Sequence, residues 1–119
     1  MSAPVSTSAA KATPASQPLP LSGLRILAVE QMQAMPFGTQ LLARMGADVV
    51  KVESPKEGES GRTGLPNIVD VDGSTPGATF LRNNLSKRSI GIDLKHPKGA
   101  ELVRKLVPKF DVVVENFRP

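Results

Sequence analysis

Apolar positions are scattered along the first twenty residues and then fall into a regular pattern. Residues 1–19, MSAPVSTSAAKATPASQPL, are mostly Ala, Ser, Thr and Pro, with Lys11 the single charge. Such a stretch buries too little apolar surface to offset its ordering entropy, and we expect 1–19 to be a disordered leader. The ordered part is expected to be 20–119. LRILAV, residues 24–29, is short and almost continuously apolar, which predicts a strand buried on both faces. A turn follows over Glu30–Pro36, and Pro36 suits the first position of a helix, where its missing N–H is not needed. Phe37, Leu41, Leu42 and Met45 then recur at helical spacing, predicting one apolar face. Gly46 stands where a left-handed cap ends such a helix. DVVKVE, residues 48–53, reads as a second strand. Strand, helix and strand with short joints form the βαβ unit of a parallel sheet.

The pattern dissolves from Ser54 to Pro76 into Gly, Pro, Ser and charges, a loop long enough to serve a ligand or partner. It resumes with Ser89–Leu94 as a third strand. A helix from Pro97 follows, with Leu102, Val103, Leu106 and Val107 on one face and Pro108 ending it. Asp111–Glu115 is the fourth strand, its three valines predicting burial, and the sequence closes on NFRP. We expect the N-terminal portion of a larger, truncated α/β domain.

Composition narrows the chemistry. The 119 residues contain no Cys and one His, His96. Disulfides, thiol nucleophiles, Cys-based metal sites and Ser-His-Asp triads are therefore excluded within the chain, and no metal is expected. No apolar run approaches the ~20 residues that span a membrane, and no secretory signal is present, so a cytoplasmic protein is expected. The net charge is +4. Arg82, Lys87, Arg88, Lys95 and Lys98, opposed only by Asp93, account for all of it; a solvated patch and a site for a compact anion both fit. Aromatic stacking residues are few and no RNA-binding motif occurs, so nucleic acid is not an expected partner.

In parallel α/β sheets ligands sit beyond the carboxyl ends of the strands. Here those ends are Gln31–Pro36, Leu94–His96 and Asn116–Pro119. Each has a structural reading too: Gln33 satisfying backbone groups of its turn, Asn116 capping or kinking the chain, Lys95 as a solvated charge. The glycines of GESGRTG fit neither a dinucleotide nor a Walker-type loop. Glu57 and Glu59 fit poorly as a catalytic pair, and His96 fits a turn before Pro97 better than a base.

Three blocks carry a resemblance: GADVVKVE, KRSIGIDLK and DVVVENFRP, in this order between Pro20 and Pro119. They resemble the start of the family III CoA-transferases, the group of formyl-CoA transferase and carnitine CoA-transferase. The resemblance implies a Rossmann-like parallel sheet in an interlaced homodimer. It implies transfer of CoA between an acyl-CoA and a carboxylic acid, the two being substrates, with no permanently bound cofactor. A catalytic Asp would form a mixed anhydride and then an aspartyl–CoA thioester. That Asp lies beyond this chain in the family, so the resemblance assigns no catalytic residue here, and this segment alone is expected to be inactive.

The family's CoA contacts carry over to Gln33 and Ala34 near the thioester arm, and to Ile92, Asp93, Leu94 and Lys95 at the adenine end. Asn116 and Phe117 follow the fourth strand. Met35 replaces the family's usual Gly, which would narrow the cleft. Ser54 stands where some members carry an Arg, which would remove one charge from the phosphate contacts. An α-methylacyl-CoA racemase, or a non-catalytic remnant, is the alternative reading.

Overall fold

A strand with apolar side chains on both faces belongs inside a sheet, and the first strand occupies that place. The structure, a computed structural model, describes residues 17–118. The proposed leader falls almost entirely outside them. The strands are β1 (Arg25–Val29), β2 (Asp48–Glu53), β3 (Arg88–Gly91) and β4 (Val112–Glu115). They form one parallel sheet in the order β3-β2-β1-β4. The helices are α1 (Ala34–Arg44), α2 (Ala78–Asn83) and α3 (Pro97–Leu106).

Side chains alternate across a strand, so β1 feeds two cores. Ile26 and Ala28 pack with Val49, Ala43 and Ala47 on the α1 side. Leu27 packs with Val52 and Ile92 on the other side, where Val103 and Leu106 of α3 cover them. This arrangement is the expected α/β architecture with a parallel sheet. Gly46 has φ +104° just past α1, the left-handed cap the sequence predicts.

Several details differ from expectation. Helix α1 starts at Ala34, leaving Pro36 in its first turn, where an N–H is still dispensable. Its buried residues are Pro36, Thr39, Gln40 and Ala43, whereas Phe37, Leu41 and Met45 face outward. Leu42 alone of the predicted stripe reaches the core. The small and polar face turns inward because charged groups wait beneath it. The third strand ends at Gly91 rather than Leu94. The fourth lies at the sheet edge, so Val112 and Val113 are exposed and only Val114 packs inward. The Ser54–Pro76 loop contains a 3-10 turn, Ser60–Thr63, and α2 follows it, an element the apolar pattern does not reveal.

Candidate functional site

All four strands run the same way, so Val29, Glu53, Gly91 and Glu115 finish at one edge of the sheet. Beyond that edge lies a cleft of about 1120 Å³. Ile92, Asp93, Leu94, Lys95 and Phe117 line it, together with Gln31 and the 54–60 segment. The structure therefore joins five of the eight sequence-predicted positions in one cavity.

The 92–95 wall is held from below. Ile92 is buried and its N–H donates to the Glu53 carbonyl at 2.9 Å, extending the β2–β3 ladder beyond the last paired strand residue. The chain then turns: the Asp93 carboxylate accepts from the Lys95 N–H at 3.0 Å. His96 is the N-cap of α3, its Nδ1 accepting from the Lys98 N–H at 3.1 Å, which is the structural role anticipated for it. Gly99 is required at the start of α3, because a Cβ there would collide with the Asp93 carbonyl. Leu94 and Lys95 are exposed on the cleft wall.

Gln33 and Ala34 lie elsewhere. They line a smaller hollow of about 360 Å³ with Phe37, Arg82 and Asn83. Gln33 is the N-cap of α1, yet its side chain makes no capping hydrogen bond. The turn Gln31–Met32 separates hollow from cleft, and it is pinned by side chains of other segments. Asn116 accepts from the Gln31 N–H at 2.8 Å and donates to the Gln31 carbonyl at 2.9 Å. Asn116 is thus structural in another way than the cap or kink expected of it, its amide group being spent on this distant turn. Glu59 accepts from the Met32 N–H at 2.7 Å, and the Asn83 amide donates to the Met32 carbonyl at 3.2 Å.

Beneath α1 lies a buried charge cluster that hydrophobic patterning passes over. Glu30, Lys51, Glu59 and Lys87 have side chains at most 2% exposed. The Lys87 ammonium meets Glu30 at 2.7 Å, and Lys51 stands 3.5 Å from Glu30 and 3.7 Å from Glu59. Thr39 of α1 donates to the Glu30 carboxylate at 2.8 Å. Two ammonium and two carboxylate groups balance, which burial demands. Burial pushes the Lys87 ammonium below its usual range, against the opposing pull of Glu30. The one available signal is DVVKVE itself: a lysine set among the valines of a strand that pairs beside the buried first strand must be hidden with them.

A further carboxylate organises the far wall. Burial would raise the Glu53 carboxyl, but Arg62 (2.6 and 2.9 Å) and the Ser89 hydroxyl (2.6 Å) hold it down at about 2. Arg62 in turn stacks over Phe80 of α2, 3.9 Å from the ring centre.

The basic segment divides between structure and surface. Lys87 is internal and Arg88 pairs with Asp48 at 2.6 Å, whereas Arg82, Lys95 and Lys98 form no salt bridge among the described residues. The anion reading therefore narrows to Lys95 and its neighbour across the cleft, Lys56. Met35 is half-buried in the first turn of α1 and lines neither cavity, so it does not narrow the cleft. The Ser54 hydroxyl accepts from the Lys56 and Glu57 N–H groups and closes a turn at the rim. No group of metal-ligating side chains occurs among the described residues. None of their helices is long and apolar enough to cross a membrane.

Comparison with known proteins agrees with this architecture. The family model described as CoA-transferase family III matches residues 21–119. A succinate–glutarate CoA-transferase of Agrobacterium fabrum is 46% identical over 101 residues, covering 83% of this chain and 25% of the relative. A formyl-CoA:oxalate CoA-transferase of Bradyrhizobium diazoefficiens is 48% identical over 99 residues, 83% of this chain and 22% of that protein. The crystal structure of a CaiB/BaiF family protein from Brucella suis superposes with a TM-score of 0.75 at 48% identity. It covers 85% of this chain and 26% of that one. The chain spans about a quarter of the length of these relatives. From matching motifs, fold and sequence together, the chain belongs to CoA-transferase family III.

Proposed function

We propose that this chain is the N-terminal CoA-binding portion of an acyl-CoA:carboxylate CoA-transferase, a cytoplasmic homodimer when complete. The observation that carries the reading is the cleft beyond the sheet edge. Ile92, Leu94 and Phe117 give its lining apolar surface and Lys95 and Lys56 give it cations. Three of its five acidic residues, Glu30, Glu53 and Glu59, are already paired with Lys87, Arg62 and Lys51; this suits an adenine nucleotide carrying phosphates. Gln33 and Ala34 would meet the thioester arm across the pinned turn. The relatives named as transferases favour this activity over a racemase.

In the proposed reaction an aspartate carboxylate supplied by the rest of the protein attacks the acyl-CoA carbonyl. The C–S bond breaks, CoA leaves as thiolate, and a mixed anhydride remains. The thiolate attacks the aspartyl carbonyl and releases the first acid, and the incoming carboxylate reverses both steps. No aspartate of this chain is assigned that role. Asp48 pairs with Arg88, Asp111 accepts from the Arg25 N–H, and Asp93 closes its own turn. Asp70 and Asp72 are occupied with loop N–H groups.

The test is a titration of the isotopically labelled chain with CoA, followed by NMR. The amides of Ile92–Lys95 and Phe117 should shift, 3′,5′-ADP should reproduce those shifts, and Lys95→Ala should weaken binding about fivefold or more. Absence of shifts at millimolar CoA, or shifts confined to the outer face of α1, would overturn the proposal.

A further inference from the structure

Met32 has φ +64°, a left-handed conformation that costs a residue with a Cβ and persists only where its surroundings enforce it. Two side chains enforce it, from segments 27 and 51 positions away: Glu59 on its N–H and Asn83 on its carbonyl. Both are buried, Glu59 at 2% and Asn83 at 1% exposure. Glu59 is itself fixed, taking the Gly61 N–H at 2.8 Å on the same oxygen and donating its own N–H to Glu53 at 2.9 Å. The next residue is Gln33, whose side chain caps nothing and lines the hollow.

We infer that Glu59 and Asn83 are positioning residues that lock Met32 in its left-handed turn and so aim Gln33 into the hollow between α1 and α2. This inference rests on the CoA reading above, since it assigns the hollow to the thioester arm. The lock matters because Met32 would otherwise relax to negative φ, which swings the Gln33 Cα–Cβ direction away from Arg82 and Asn83. A glycine at position 32 would adopt the same conformation without strain, so that it depends far less on either partner.

The experiment compares acetyl-CoA with 3′,5′-ADP by isothermal titration on the chain. Their affinity ratio isolates what the thioester arm adds. Asn83→Ala and Glu59→Ala should each cut that ratio about tenfold, the effect of losing one hydrogen bond plus the conformer it secures. Glu59→Gln, which keeps the acceptor, should retain most of it. Met32→Gly added to Asn83→Ala should restore the ratio, which loss of a direct ligand contact would not allow. An unchanged ratio in Asn83→Ala, or no restoration by glycine, overturns the inference. If the unaltered chain binds neither nucleotide, the CoA reading fails on its own. The lock is then decided by the Gln33 side-chain amide resonances. They should broaden in Asn83→Ala and sharpen again in the double variant; unchanged lines would refute the lock.

Discussion

Asn116 holds Gln31 by both of its backbone groups, N–H at 2.8 Å and carbonyl at 2.9 Å, across 85 positions of sequence. The contact joins the end of β4 to the end of β1, where the cleft opens. Asn116→Ala removes donor and acceptor together and should cost about 1–3 kcal/mol. Urea denaturation would measure it, and hydrogen exchange at the Gln31 amide should accelerate even where global stability changes little.

The Glu53 carboxyl sits at about 2 in the folded protein, against an ordinary value of 4.5. A depressed carboxylate contributes stability that is present above its unfolded pKa and is lost as pH falls through the folded one. The chain should therefore weaken between pH ~4.5 and ~2. The shift itself corresponds to about 3 kcal/mol, reduced to roughly 1–2 because Arg62 is partly open to solvent. Thermal melts across this range should show the decline, and Glu53→Gln should flatten it.

Lys51 lies between two buried carboxylates, with Thr39 and Lys87 completing the cluster. Lys51→Met leaves negative charge uncompensated under α1 and should destabilise by about 3–5 kcal/mol. A chemical melt gives the value. Recovery of part of the loss in Lys51→Met combined with Glu59→Gln, which removes the matching charge, would identify the cause as charge rather than lost packing.

Gly99→Ala forces a Cβ against the Asp93 carbonyl and must displace the turn that carries Leu94 and Lys95. Stability should fall by about 1–3 kcal/mol, and CoA affinity should fall further than stability alone accounts for. Calorimetry beside the ligand titration separates the two. Gly38→Ala is the control: a Cβ there meets nothing within 4 Å.

Phe37 and Leu41 of α1, Met45 just past it, and Val112 and Val113 of β4 are all more than a third exposed. Apolar surface presented in this way favours association. The chain should self-associate in sedimentation experiments at micromolar concentration, and Phe37→Gln with Leu41→Gln should shift it toward monomer.

The strands, two of the helices and their parallel arrangement were legible because β1, β2 and α3 follow simple apolar periods. Periodicity misled at α1, where the apolar stripe faces outward. The inward face of α1 must offer Thr39 to the Glu30 carboxylate and Gln40 to the Leu85 N–H, and hydrophobicity alone carries no record of that need. The three valines of β4 suggested burial, but strand order, which no local pattern encodes, put them at an edge. Of the site positions, Ile92–Lys95 and Phe117 converge as the strand-end rule anticipates. The roles of Glu59 and Asn83 stayed hidden because their contacts are long-range, made by an irregular loop and by the end of α2, which the apolar pattern does not reveal.

The strand order also sets a sequence of assembly. β1 and β2 are separated by one short helix and can associate early, forming a local nucleus with α1. β4 must return across some eighty residues to pair with β1 on its other side. Closing the longer loop costs only about 1 kcal/mol more, yet it delays pairing because nothing local prepares it. Docking of β4 brings Asn116 to Gln31, so the cleft is completed last. On the ribosome, a chain with β1 and β2 already paired would lack both the Asn116 clamp on Gln31 and the Phe117 wall of the cleft until the segment after β4 had emerged.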